Sequence, residues 1–259
     1  MTLKTSLRET FFRIWYWYVN KVDRNARILF MNFGYHDKNR HIVMEAQNEC
    51  DRYSIQLYHH LVDAVNMQGK DIVEIGCGRG GGLSYIASNF SPATAIGIDL
   101  NNRAVRFCNR HYKMDGLSFL QGDAQSLQLE NDSCDIVINV ESSHRYPNMV
   151  AFLNEVFRIL RPGGYFLFTD FRYDCEMDEI RKDLEESGFT LVKENNINQE
   201  VTAALALDDT RRRKLIKDLA PRFLHNLALN FAGAMGSETY NNFASGKYIY
   251  FSYIFKKQL

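Results

Sequence analysis

Apolar residues follow two different periods along this chain, and the periods alternate. Asp71-Ile72-Val73-Glu74-Ile75 is short, apolar and β-branched, the composition of a buried parallel strand. Comparable runs recur at 94–99, 117–122, 135–140 and 164–171. Between them the spacing becomes helical. Leu83 to Phe90 reads as one helix. Asn148 to Leu160 reads as another, with Val150, Leu153, Val156, Phe157 and Leu160 at helical spacing. Pro147 suits the first turn of that helix, and Pro162-Gly163 ends it. Regular alternation implies a parallel sheet with helices on both faces. Beyond the fifth strand, Glu176 to Ser187 reads as a helix closed by Gly188, and Phe189 to Glu194 as a strand. Gln199 to Ser237 reads as an inserted helical block, and Tyr248 to Lys256 as a final strand. Two closing strands around an insertion suit an antiparallel pair. Residues from Leu3 to about Asn66 read as helical. No linker interrupts the pattern, so a single domain is expected over residues 1–259. Its parts are a helical cap (1–70), a core (71–198), a helical lid (199–246) and a final strand (247–259).

The first strand runs into Gly76-Cys77-Gly78-Arg79-Gly80. Glycines there allow backbone conformations and close approaches that a Cβ would block. A helix follows, so the turn is expected to aim free N–H groups at a ligand. A glycine turn alone also suits dinucleotide folds. Its neighbours narrow the reading. The second strand ends in Asp99-Leu100, the third runs into Gly122-Asp123-Ala124, and Arg161-Pro162-Gly163-Gly164 precedes the fifth. His144 lies just past the fourth strand, at the carboxyl edge where doubly wound sheets place ligands. Imidazole can accept a proton near neutral pH, so His144 is the candidate general base. Glu141 is the candidate to orient His144 or to close over the ligand, with a pairing to Arg145 as the bland alternative. Asp170 reads equally as facing substrate or as a helix cap.

These four motifs, in this order, resemble class I S-adenosylmethionine (SAM)-dependent methyltransferases. Glu74 to Gly80 is similar to their first motif, Asp99-Leu100 to the acidic end of their second strand, and Gly122-Asp123-Ala124 to their adenine-side turn. The resemblance is strong over roughly 71–171. Phe30 to Tyr35, Glu141 to His144 and Phe243 to Gly246 resemble a narrower set, which acts on polyketides, lipids and phthiotriol-like alcohols. The fold implied is α/β, a Rossmann-like, doubly wound, mainly parallel seven-stranded sheet with an antiparallel last strand and a helical cap. The cofactor implied is SAM, held by Tyr35, Glu74, Gly76, Cys77, Gly78, Asp99, Leu100, Asp123, Ala124 and Asn139. In that reading the Gly76–Gly78 backbone faces the amino-acid end. Glu74 organises the turn or reaches the ammonium through water. Asp99 offers two oxygens to the ribose hydroxyls, and Asp123 accepts from the adenine amino group. Phe33-Gly34-Tyr35 lays an aromatic ring over the sulfonium. The reaction implied is methyl transfer to a hydroxyl of a small, largely apolar acceptor. Carbon methylation of a sterol- or quinone-like acceptor, and a pericyclic step on a SAM-binding scaffold, stand as alternatives.

Composition trims the field. Lys and Arg number 31 against 31 Asp and Glu, so no global field draws in nucleic acid or anionic lipid. The fourth strand ends in Asn139-Val140-Glu141-Ser142 and lacks the Pro-Pro motif of nucleic-acid amino methylation. Five scattered cysteines without a CxxC pair predict reduced, buried thiols, a cytoplasmic protein and no zinc. The histidines outside the site show no metal spacing, and no metal is expected. The apolar stretch at 11–19 is broken by Arg13 and is shorter than a membrane span. Whether it touches membrane, substrate or a second subunit is left open, as is the choice of monomer or homodimer. Arg211-Arg212-Arg213-Lys214 reads as a solvated helix face.

Overall fold

A computed structural model describes residue 23, residues 26–39 and residues 42–258. These residues build a seven-stranded sheet in the order β3-β2-β1-β4-β5-β7-β6. Strands β1 (Asp71–Ile75), β2 (Thr94–Asp99), β3 (Leu117–Gln121), β4 (Cys134–Val140) and β5 (Leu160–Tyr173) are mutually parallel. Strand β7 (Tyr248–Lys256) runs antiparallel to both β5 and β6 (Thr190–Asn196). The helices are α1 (Arg52–Val62), α2 (Gly81–Phe90), α3 (Asn102–His111), α4 (Met149–Ile159), α5 (Met177–Glu186), α6 (Asn198–Leu219), α7 (His225–Phe231) and α8 (Glu238–Ala244).

Successive side chains on a strand point to opposite faces, and that splits the core into two layers. Ile72, Ile136 and Ile138 join Leu57, Leu61, Leu83 and Ile86 of α1 and α2. Val73, Ile75 and Val137 join Phe152, Val156 and Ile180 of α4 and α5. The central strands β1, β4 and β7 bury both faces, which is why they read as continuous apolar runs, whereas β3 and β6 at the sheet edges are largely exposed.

The helix expected at 148–160 is shorter at both ends. Asn148 is its N-cap, with the side chain accepting from the Ala151 N–H at 2.9 Å, so Pro147 precedes the cap. Leu160 already pairs with Cys134 in the sheet, and a register shift absorbs Arg161-Pro162-Gly163-Gly164 within β5. The Pro-Gly pair therefore marks an irregularity in a long strand and does not end the helix.

The helical reading of the N-terminal region needs a larger correction. Residues 26–39 and 42–45 carry no helix. A 3-10 turn at Ala46–Asp51 leads into α1. Ile28 to Phe33 is apolar except for Asn32, without helical spacing, and forms a strap laid over the sheet's carboxyl edge. The aromatic stretch at 11–19 lies outside the described residues. Cys77, Cys108 and Cys134 are buried, whereas Cys50 and Cys175 are exposed. Among the described residues no helix is long and apolar enough to cross a membrane.

Candidate active site

The chain leaves β1 for β2 on one side and later returns to β4 on the other. The crevice at such a switch point is where open α/β sheets hold ligands. Here it widens into a cavity of about 780 Å³. Its floor is the turn after β1. Gly76 has φ +77°, and a Cβ there would collide with the Ser142 hydroxyl, so only glycine fits. The turn does not present its first N–H groups freely, as expected from sequence. Gly76 and Cys77 donate to the Ile98 carbonyl at 2.7 and 3.1 Å, and Gly78 donates to Asp99 Oδ2 at 2.9 Å. What it presents is room: no heavy atom lies within 4 Å of where a Gly78 Cβ would sit.

Eight of the residues singled out from sequence line the cavity: Gly76, Cys77, Gly78, Asp99, Leu100, Asp123, Ala124 and Glu141. Asp99 also braces its own loop, since Oδ1 accepts from the Asn101 N–H at 2.8 Å. Burial raises its pKa, opposed by those two backbone N–H groups. Asp123 caps its turn by accepting from Gln125 N at 2.9 Å.

Three expected cofactor contacts lie off the cavity wall. Glu74 is buried beneath the turn and accepts from the Tyr58 hydroxyl at 2.7 Å. Burial pushes its carboxyl up to about 7. Asn139 is fully buried, donating to the Ile75 carbonyl at 2.8 Å and to the Tyr146 hydroxyl at 3.2 Å, so it ties β1 to β4. Tyr35 is drawn under the strap. Gly34 turns the chain at φ +87° against Tyr53, the Tyr35 N–H bonds to the Tyr53 carbonyl, and the ring stacks on His60 at 4.3 Å. The rings that do line the cavity are Phe30, Tyr58 and Tyr146, none of which was expected from sequence to contact the cofactor.

The strap itself closes the cavity with Leu29, Phe30, Met31 and Asn32. Besides the bond from Asn32 Nδ2 to the Ser54 carbonyl at 3.2 Å, three carboxylate or guanidinium groups pin it. Asp23 receives the Arg27 and Ile28 N–H groups at 2.9 and 2.8 Å, and its carboxylate pairs with buried Arg79 of the glycine turn at 3.0 Å. Glu141 Oε1 accepts from the Phe33 N–H at 2.7 Å and from the Tyr250 hydroxyl at 2.5 Å. Arg212 of α6 is held by Asp208 at 2.9 Å and donates to the Phe33 and Asn32 carbonyls at 3.0 and 3.3 Å. Arg212 is therefore buried, against the expectation of a solvated basic face. Glu141 neither orients His144 nor pairs with Arg145 in the described contacts.

His144 has a different partner. Its Nδ1 lies 2.7 Å from Asp170 Oδ1, and its backbone N–H donates to Asp170 Oδ2 at 2.9 Å. Asp170 is fully buried and also receives the Ser143 hydroxyl at 2.6 Å and the Arg172 guanidinium at 3.2 Å. Burial pushes its carboxyl up. The charges of His144 and Arg172 outweigh that and, with hydrogen bonds from His144 and Ser143, hold it well below the usual range. Asp170 therefore accepts, Nδ1 carries a proton, and Nε2 is left with a lone pair. Burial lowers the imidazole pKa, with Asp170 opposing. The ring leans on Phe171 at 4.6 Å, beside the cavity wall made by Glu141, Ser142 and Arg145. Sheet register carried a signal for Asp170: Val140 pairs with Thr169, which sets the residue after Thr169 next to the β4 exit.

A methyltransferase-domain family model matches residues 73–168. A phthiotriol/phenolphthiotriol dimycocerosates methyltransferase of Mycobacterium tuberculosis is 35% identical over 252 residues, covering 96% of this chain and 93% of its own. A fatty-acid O-methyltransferase of Mycolicibacterium smegmatis is 40% identical over 212 residues, covering 82% and 77%. Among solved structures, a geranyl diphosphate methyltransferase in complex with SAM superposes with a TM-score of 0.66 at 15% identity, covering 89% of this chain and 99% of its own. That last likeness is one of fold.

Proposed function

The chain belongs to the class I SAM-dependent methyltransferases, and from that premise we propose that it methylates a hydroxyl of a lipid-like acceptor, with His144 as general base. The cavity suits the donor. Its wall carries three carboxylates, Asp99, Asp123 and Glu141, for a ligand with ribose hydroxyls, an adenine amino group and positive charge. Leu100 and Ala124 add apolar surface for a base, and the open side of Gly78 admits close approach. When bound, SAM supplies a methyl group on a cationic sulfur.

The observation that carries the base assignment is the His144–Asp170 contact. An aliphatic hydroxyl does not ionise near neutral pH, so its proton must leave as the oxygen attacks. Nε2 can take it, while Asp170 fixes the ring and balances the imidazolium that forms. A carboxylic acid would arrive already ionised and would leave this pair without a task. The pair therefore favours an alcohol over a fatty acid, the acceptor class named for one relative. An apolar acceptor also suits the surroundings. Behind the strap a smaller cavity of about 110 Å³ is walled by Phe33, Leu215, Ile216 and Phe231. Positioning supplies much of the rate, because holding donor and acceptor in line is worth roughly 7–11 kcal/mol.

Incubation with SAM and either a long-chain secondary alcohol or a fatty acid, followed by mass and NMR of the product, tests the reading. A methyl ether of the alcohol is the expected product. A new carbon-bound methyl, or a rearranged product without a methyl, would overturn it. The donor assignment has its own test. Asp99→Ala is expected to weaken SAM by about 1.5–3 kcal/mol, the scale of a charge-assisted hydrogen bond, or roughly tenfold or more. Calorimetry with SAM, S-adenosylhomocysteine and NADH reads this directly. Unchanged SAM affinity in a folded variant would remove Asp99 from the ribose site, and tight NADH binding without SAM would remove the donor.

A further inference from the structure

Glu141 is held in an unusual way. It follows β4 with φ +45°, a left-handed backbone that costs a non-glycine residue energy. That backbone turns the side chain inward, where it lines the main cavity. Both of its described hydrogen bonds fall on one oxygen: Oε1 accepts from Phe33 of the strap and from Tyr250 of β7. Among the described residues Oε2 receives none. Asp99 and Asp123, the other two carboxylates of the wall, are each occupied in bracing their own loops.

The groups facing Glu141 leave it short of positive charge. They are Tyr250 from β7, Asp170 from β5, Arg212 from α6 and Tyr58 from α1. Arg212 is already committed to Asp208, and Asp170 to His144 and Arg172. Burial then pushes the Glu141 carboxyl up to about 8, against the hydrogen bonds from Tyr250 and Phe33. Near neutral pH the acid is mostly protonated, and with Oε1 accepting twice the proton resides on Oε2.

We propose that Glu141 reads the charge of the bound donor and so sets the preference for SAM over its demethylated product. A cation in the cavity favours the carboxylate, so the Oε2 proton leaves to solvent as SAM binds. S-adenosylhomocysteine has a neutral sulfur and leaves the acid protonated. After transfer the carboxylate recovers its proton and its attraction for the ligand is gone, which favours release. Oε1 keeps the strap in both states. The inference rests on the donor assignment alone and is independent of the acceptor and of His144.

Glu141→Gln mimics the protonated acid at every pH and can keep both Oε1 contacts. SAM and S-adenosylhomocysteine affinities would be measured by calorimetry between about pH 6.5 and about pH 8.5. In the wild type the SAM preference should rise with pH and level off above the carboxyl's own pKa. The full rise should be about tenfold more than in the variant, one pKa unit of coupling, and most of it should fall within that range. Titration of the ligands' own amino groups is common to both proteins and cancels in the comparison. Infrared difference spectra of the wild type should show a protonated carboxyl band that SAM removes and S-adenosylhomocysteine leaves. That readout needs no variant. Parallel pH profiles in the two proteins, or a band unaffected by SAM, would overturn the proposal. Failure of the wild type to bind SAM at any pH would overturn the donor assignment and this inference with it.

Discussion

His144→Ala should lose about 10²–10⁴ in turnover, the usual worth of a positioned base, while SAM affinity holds, because the ring is not on the donor cavity wall. Neutral imidazole is the working form, so the wild-type rate should rise with pH through the histidine pKa. Burial has lowered that pKa, which puts the acid limb below about pH 6.5. Asp170→Asn separates positioning from charge. Asp170 raises the His144 pKa, so its loss should move the limb to still lower pH. The amide would also no longer hold the proton on Nδ1, so the plateau should fall within the same range as for alanine. A pH–rate profile for wild type and both variants, on an alcohol that stays un-ionised throughout, decides the matter. Full activity with an unchanged profile in His144→Ala would leave proximity as the main source of rate.

Asp23→Ala should release the strap. It strips Arg79 of a carboxylate in a buried pair whose side chains are 1% and 0% exposed. Breaking such a pair from one side costs about 3–5 kcal/mol, because the guanidinium stays buried with that carboxylate gone. The same change frees the Arg27 and Ile28 N–H groups. Stacking of Arg79 on Phe107, 3.8 Å from the ring centroid, remains. Hydrogen exchange at the Phe33 and Tyr35 amides, which bond to Glu141 and Tyr53, should accelerate far more than exchange in β1 or β4. SAM affinity should fall as well, since the strap covers the cavity. Protection unchanged at those two amides would show that Glu141 and Arg212 hold the strap without help from Asp23.

Strands and glycines were the legible part of this chain. A β-branched run buried on both faces leaves little freedom in the reading, and Gly76 stands where no other residue fits. The strap was not legible. Ile28 to Phe33 is largely apolar because it roofs a cavity, and a roof needs neither the helical nor the strand period. Tyr35 and Asn139 lie behind the cavity wall, a place sequence does not distinguish, because polar or aromatic residues near a cavity also serve as struts. Asp170 was half legible. Its place on the fifth strand was visible, but its partnership with His144 depends on the β4–β5 register, which sequence does not print. For Glu141 the sequence suggested His144, the ligand or Arg145, whereas its hydrogen-bond partners, Phe33 and Tyr250, come from distant segments.

Strand β7 is seventh in the chain and sixth in the sheet, hydrogen-bonded between β5 and β6. During synthesis β6 therefore emerges with no neighbour to join. Some fifty residues of α6, α7 and α8 must follow before its partner exists, a long loop to close. Tyr250, which grips Glu141, and Asn198, which the Tyr250 N–H bonds at 2.6 Å, meet only at that late event. The ribosome thus delivers the donor floor early and the clamp on its wall late. A nascent chain halted before β7 would carry the glycine turn and Asp99 but could not yet brace Glu141, the strap's anchor, with Tyr250.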